Sequence, residues 1–241
     1  MDMLRGEEIA AAGLREWRKL AQGLHARYLL GGFGAGARFL AAVGEAGDAI
    51  GHHPRAVIGR GCVELELVSD DAVYRDGEGA EHLVEWVTRQ DVELARRITG
   101  IAAEHGLVAD PASVGELELG LDTARSATIA PVWAALLTGS AESQGRGSPS
   151  DEIRDATGRV PNLWFGDADE SAAPGQRFHL EVYVAPEAAE GRIAAAVAAG
   201  GTVVDDREAG LTVIADQDGN TGVVCVDVSA ANPAEAGPDA D

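Results

Sequence analysis

Gly51-His52-His53-Pro54 constrains this chain more than any other stretch. No regular helix runs through it. Pro54 has no backbone N–H and pushes His53 toward extended backbone, while Gly51 is the residue type that ends helices. The run before it has the spacing of a helix that must stop here. Across residues 33–50, Phe39, Val43, Ala46 and Ile50 recur at i, i+4, i+7 and i+11, one face of an α-helix. Adjacent side chains on extended backbone point to opposite sides, so His52 and His53 are expected to meet different surroundings. Histidine exchanges protons near neutrality, which makes the same stretch the first candidate for acid–base chemistry.

The 241 residues suffice for one large or two ordinary domains. Forty acidic against 19 basic residues give a formal charge of −21, which argues against a nucleic-acid backbone or an anionic membrane surface as the main partner. Cys62 and Cys225 lie far apart, with no ligand spacing around them, so buried reduced thiols are expected rather than a zinc site. The start, Met1 to Glu8, lacks a basic region followed by an apolar core. No apolar run approaches the ~18 residues that a membrane helix needs. A cytoplasmic protein is the expectation.

In order, the patterning predicts a short helix at 7–14, strands at 18–24 and 26–30, and the helix at 33–50. Cys62-Val63-Glu64-Leu65-Glu66-Leu67-Val68 alternates apolar and polar residues as a half-buried strand does. Residues 69–79 are polar and acidic and read as a loop or hairpin. Thr88 then reads as a helix N-cap with Asp91 at the third helical position, followed by a stripe of Leu94, Ile98 and Ile101 and an end at His105-Gly106. The segment 108–113, with Asp110-Pro111, is the expected boundary between domains. Beyond it come a strand at 116–121, a helix at 130–137 with Pro131 in its first turn, and a Gly/Ser-rich loop at 140–150. Strands at 162–165 and 178–184, an alanine-rich helix at 188–199, and strands at 202–204, 211–215 and 222–228 follow, with turn chemistry at Asp216-Gln217-Asp218-Gly219. The second half thus looks internally duplicated. The expected layout is domains at 1–108 and 109–229, with an acidic disordered tail at 230–241.

Residues 4–106 resemble the pterin-4a-carbinolamine dehydratase family. The resemblance is carried by Glu8-Ile9, Trp17, Arg27-Tyr28, Phe33, Phe39, Asp48-x-x-x-His52-His53-Pro54, the alternating strand, and Thr88-x-x-Asp91-x-x-Leu94-Ala95-x-x-Ile98. It implies an α+β domain, a four-stranded antiparallel sheet with helices on one face, in subunits that form a homodimer or higher homo-oligomer. It also implies loss of water from a 4a-hydroxytetrahydropterin, chemistry that needs an acid and a base but no metal or other cofactor. By position, His52 and His53 would be the imidazoles at the substrate and Asp48 their acidic partner, with Pro54, Arg55, Trp86 and Asp91 around it. The family's third histidine falls on Asp70 when counted forward from His53 and on His82 when counted back from Thr88, because this chain carries extra residues between strand and helix. Arg55-Ala56-Val57-Ile58 and Val84-Glu85-Trp86-Val87 also depart from the family pattern.

Residues 113–229 resemble glyoxalase-like members of the vicinal oxygen chelate superfamily. The carriers are Leu119-x-Leu121-Asp122-Thr123, Ala130-Pro131-Val132-Trp133, Phe178-His179-Leu180-Glu181-Val182, Ala198-Ala199-Gly200-Gly201 and Asp216-Gln217-Asp218-Gly219-Asn220. Paired βαβββ units are the implied fold. Metal-using members end their ligand set with a Glu where this chain has Thr221-Gly222, and the first strand offers Gly115 or Glu116 rather than a histidine. No metal site is assigned. His179 and Glu181 alternate on one strand face as possible remnants.

Three functions follow from these readings. One is a metal-free lyase acting on a 4a-hydroxypterin through His52 and His53. The second is the same pocket adapted to dehydration, cyclisation or isomerisation of another small molecule in specialised metabolism. The third is a non-catalytic small-molecule binding or scaffold protein.

Overall fold

The computed structural model describes residues 1–77, 79–138, 140–145, 152–155, 158, 160–167, 177–215 and 221–228. Among the described residues the chain divides into two compact units, one of Met1–Gly115 with Val184–Ala188 and residues 227–228, the other of Glu116–Tyr183 with Ala189–Val226.

The first unit runs α1 (Gly6–Ala11), β1 (Trp17–Leu20), β2 (Gly23–Leu29), α2 (Phe33–Asp48), β3 (Arg55–Ile58), β4 (Cys62–Leu67), β5 (Ser69–Arg75), β6 (Glu81–Trp86), α3 (Arg89–Glu104) and β7 (Val108–Ala109). The sheet order is β1-β2-β4-β3, antiparallel throughout, with β7 added alongside β2. Alternation in β4 has the expected effect. Val63, Leu65 and Leu67 are buried, and Glu64 and Glu66 on the other face pair with Arg27 and Arg55 directly across the strands. Phe39 and Val43 of α2 join Leu94 and Ile98 of α3 in one core with Tyr28 and the apolar face of β4, so both helices cover the same side of the sheet. The rings of Tyr28 and Phe39 meet edge to face, 5.4 Å apart.

Three boundaries differ from expectation. The first hairpin turns at Ala21 and Gln22, with Trp17 opposite Ala26 and Leu20 opposite Gly23. Ala21 takes φ +43°, a conformation usually signalled by Gly or Asn, so the turn had no local marker. Of the two readings of 69–79, loop or hairpin, the hairpin holds but runs on to Trp86: β5 pairs with β6 in a separate two-stranded sheet, turning at Asp76 and Gly79. The predicted boundary at 108–113 begins with β7, whose Val108 and Ala109 pair with Leu29 and Tyr28, so it completes the first sheet.

The second unit runs β8 (Gly115–Leu121), α4 (Ser126–Thr138), β9 (Glu152–Ile153), β10 (Asn162–Trp164), β11 (Phe178–Val184), α5 (Pro186–Ala198), β12 (Thr202–Asp205), β13 (Leu211–Ala215) and β14 (Thr221–Cys225). The sheet order is β12-β13-β14-β11-β8-β10-β9. Duplication is visible in the pairing. β8 is parallel to β10, which is antiparallel to β9; β11 is parallel to β14, which is antiparallel to β13. α4 starts earlier than predicted, so Pro131 lies inside the helix instead of its first turn, at the loss of a helical N–H. Asp216-Gln217-Asp218-Gly219, residues 146–150 and the tail at 230–241 lie outside the described residues. No helix among the described residues is long and apolar enough to cross a membrane.

Candidate active site

The site begins at the end of α2. Gly51 leaves the helix at φ +67°, and the Gly47 carbonyl accepts from the backbone N–H of Ile50 at 3.0 Å and of His52 at 3.2 Å. Only glycine fits at 47. A Cβ there would lie 2.7 Å from the His52 carbonyl and 2.7 Å from Cδ2 of the His53 ring. The chain is thereby drawn tight, and the two imidazoles leave it in different directions.

His52 points inward. Its Nε2 lies 2.7 Å from Oδ1 of Asp91, a carboxylate with no exposed surface on the first turn of α3. The second oxygen of Asp91 accepts from the Thr88 backbone N–H at 2.7 Å, the Thr88 hydroxyl at 2.9 Å and the Ser69 hydroxyl at 2.8 Å. Ser69 and Thr88 are themselves buried and touch at 2.9 Å. Their two hydroxyl protons serve three oxygen–oxygen contacts, so the hydroxyls can both turn to Asp91 when it is anionic. The hydrogen bond to Asp91 raises the pKa of His52 above its ordinary value. Partial burial opposes this, and the carboxylates of Asp91, Asp71 and Asp70 add to it through space.

His53 points outward, and its Nε2 meets Asp48 Oδ1 at 2.9 Å on the exposed end of α2. His25, on β2, contrasts with His52, because burial pushes its pKa down to about 4 and keeps it neutral.

The remaining sequence candidates separate. Asp70, beside Ser69, is exposed and within electrostatic reach of His52. His82 is engaged within its own hairpin, with Nε2 2.9 Å from Asp76 Oδ2 and its ring against Tyr74. Trp86 donates from Nε1 to the Leu4 carbonyl at 2.8 Å and carries Lys19 over its ring, and so anchors the N-terminal segment. Arg55 donates to Glu66 at 2.7 Å, and Pro54 leads the chain into β3. Asp91, expected at the substrate, is fully buried and reaches the site only through His52. Gly47 and Ser69 were not singled out from sequence. Ser69 was discoverable as the neighbour of Asp70, whereas the need for Gly47 arises only from the packing of His53.

In the second unit, His179 Nε2 lies 3.7 Å from Glu181 Oε1, its ring packs edge-on to Trp164, and a Cβ at Gly120 would sit 2.4 Å from that ring. Its pKa is raised by Glu181. The buried carboxylate on the first strand is Glu118, which accepts from Asn162 Nδ2 at 3.1 Å, rather than Glu116.

Comparison with known families follows the same division. The model of pterin 4 alpha carbinolamine dehydratase matches residues 2–101, and that of a glyoxalase-like domain matches residues 118–225. The chain therefore joins a pterin dehydratase-like domain to a glyoxalase-like one. Among solved structures, a transcriptional coactivator/pterin dehydratase from Brucella melitensis matches with 21% identity over 42% of this chain and 99% of its own, with a TM-score of 0.35. Comparison with curated proteins gives no match.

Proposed function

We propose that the first unit is a hydro-lyase acting on a 4a-hydroxytetrahydropterin by histidine acid–base chemistry. The observation that carries this reading is the 2.7 Å contact of His52 Nε2 with the buried Asp91 carboxylate. An anion held on Nε2 keeps the proton there in both the neutral and the charged ring, which leaves Nδ1 as the nitrogen that exchanges protons. The raised pKa of His52 suits it to the acid role. His52 gives its Nδ1 proton to the hydroxyl on C4a, the C4a–O bond breaks, and water departs. The N5 lone pair forms the C4a=N5 double bond, and His53, paired with Asp48, takes the N5 proton. The step balances: the catalyst gives one proton to the departing hydroxyl and takes one from N5, so one water is lost and the catalyst's proton count is unchanged. The match of residues 2–101 to the dehydratase family supports this reading.

The test is the ultraviolet change on forming quinonoid dihydropterin. Turnover is expected, with His52→Ala and His53→Ala each reducing it by about 10²-fold or more. A wild-type protein without turnover rejects pterin as substrate, and unchanged rates in both variants reject the histidines.

A second reading keeps the histidines and changes the substrate to another small molecule that is dehydrated, cyclised or isomerised. It is favoured by Asp70, a carboxylate at the place that the forward count from His53 gives the family's third imidazole, and by His82, the place from the backward count, being engaged with Asp76. If the wild type is silent toward pterin and Asp70→His gains turnover, this reading holds. Either reading carries the expectation of a homodimer or higher homo-oligomer, which a solution mass measurement checks.

A further inference from the structure

α4 and α5 hold equivalent places in the two repeats of the second unit, yet they meet the sheet differently. α4 buries Ala130 and Ala134 completely and packs Ile129, Trp133 and Leu137 against its core. α5, Pro-Glu-Ala-Ala-Glu-Gly-Arg-Ile-Ala-Ala-Ala-Val-Ala, buries none of its residues. Its alanines are too short to fill the space, while Gly201 draws the chain after it close. A Cβ at Gly201 would meet the Ala196 carbonyl and Ile214 Cγ2 at 3.0 Å. The result is an apolar cavity of about 440 Å³ between α5 and strands β11, β13 and β14, lined by Val182, Ala196, Ile214 and Val224 with Arg192 at its edge. Such a volume falls in the range of small-molecule sites.

Among the described residues Arg192 is the only charged one lining this space, and it makes no ion pair or hydrogen bond with another of them. Arg192 is exposed at the cavity edge, and in a chain of net charge −21 a guanidinium without a described partner beside an apolar cavity is suited to receive an anion. Its planar fork matches a carboxylate, and the surrounding negative charge disfavours anions of higher charge.

We infer that the cavity between α5 and the sheet binds a small amphiphile, with an apolar chain against Val182, Ile214 and Val224 and a carboxylate on Arg192. The described lining residues all belong to the second unit. It places an apolar monocarboxylate, as ligand or as part of a larger substrate, in the glyoxalase-like domain.

The test is calorimetric titration of the full chain with octanoate and with 1-octanol, which differ in the charged head. Octanoate is expected to bind about tenfold tighter than octanol, a difference that Arg192→Gln removes without changing octanol affinity. Ala196→Phe, which fills the cavity, should weaken both ligands more than tenfold with the circular dichroism spectrum unchanged. His52→Ala should leave octanoate binding intact. No octanoate binding at millimolar concentration, equal affinities of the wild type for the two ligands, or loss of binding in His52→Ala would each overturn the inference. Should Ala196→Phe fail to fold, the wild-type comparison and Arg192→Gln still decide it.

Discussion

His52 and Asp91 come from opposite ends of two helices and meet at 2.7 Å, the histidine just after α2 and the aspartate on the first turn of α3. Asp91 thereby does two jobs with its two oxygens. Oδ2 closes the start of α3 through Thr88 and Ser69, and Oδ1 orients the imidazole.

Asp91→Ala is expected to destabilise the fold by about 3 kcal/mol, because the Thr88 N–H, two hydroxyls and an imidazole all lose their buried acceptor. Urea denaturation measures this. Nuclear magnetic resonance titration of His52 should show its pKa falling in Asp91→Asn, which keeps the shape and removes the charge. A His52 pKa that stays put would show that Asp91 does not set it.

The His52 shift has a definite sign in stability. Its folded pKa lies above the unfolded value of about 6.5, so its contribution is fully present below that pH and is lost as pH rises through the folded pKa. Denaturation curves across this range should therefore fall less steeply with pH in His52→Gln than in the wild type.

His25 acts in the opposite sense. Its folded pKa of about 4 lies below the unfolded value, so stability is expected to drop as pH falls from about 6.5 toward 4. A gap of that size is worth about 3 kcal/mol. His25→Phe should remove most of this acid sensitivity, as read from urea midpoints at pH 7 and pH 4.5.

Gly47→Ala adds one methyl group where His53 packs. A cost of about 1–3 kcal/mol is expected, together with displacement of both histidines and a fall in turnover. Stability retained with turnover lost would separate the positioning of His53 from the fold itself.

Ala21→Gly should raise stability by about 1 kcal/mol, since Ala21 sits at φ +43° in the first hairpin and glycine takes that conformation without strain. Thermal unfolding would report it as an increase of a few degrees for the first unit.

Much of the architecture was legible because it rests on local periodicity. The stripe of Phe39 and Val43, the alternation of Val63, Leu65 and Leu67, and the Thr88–Asp91 spacing each predict an element that the structure contains. The Ala21 turn, the β5–β6 hairpin strands and the pairing of Val108 with Leu29 were harder to read. A turn without Gly or Asn, and a two-residue strand whose partner is distant in sequence, leave no periodic trace.

The candidate site divides along the same line. Sequence by itself determined that His52 and His53 leave an interrupted helix in different directions, because Gly51 and Pro54 act on the backbone beside them. Only tertiary structure decided which surroundings each would meet. The packing of α2 against α3 delivers a buried carboxylate to His52 and leaves His53 to Asp48, while the β5–β6 hairpin engages His82 with Asp76 and keeps Asp70 at the surface. The His52–Asp91 pairing joins residues 39 apart in the chain, and burial sets the charge that each can hold.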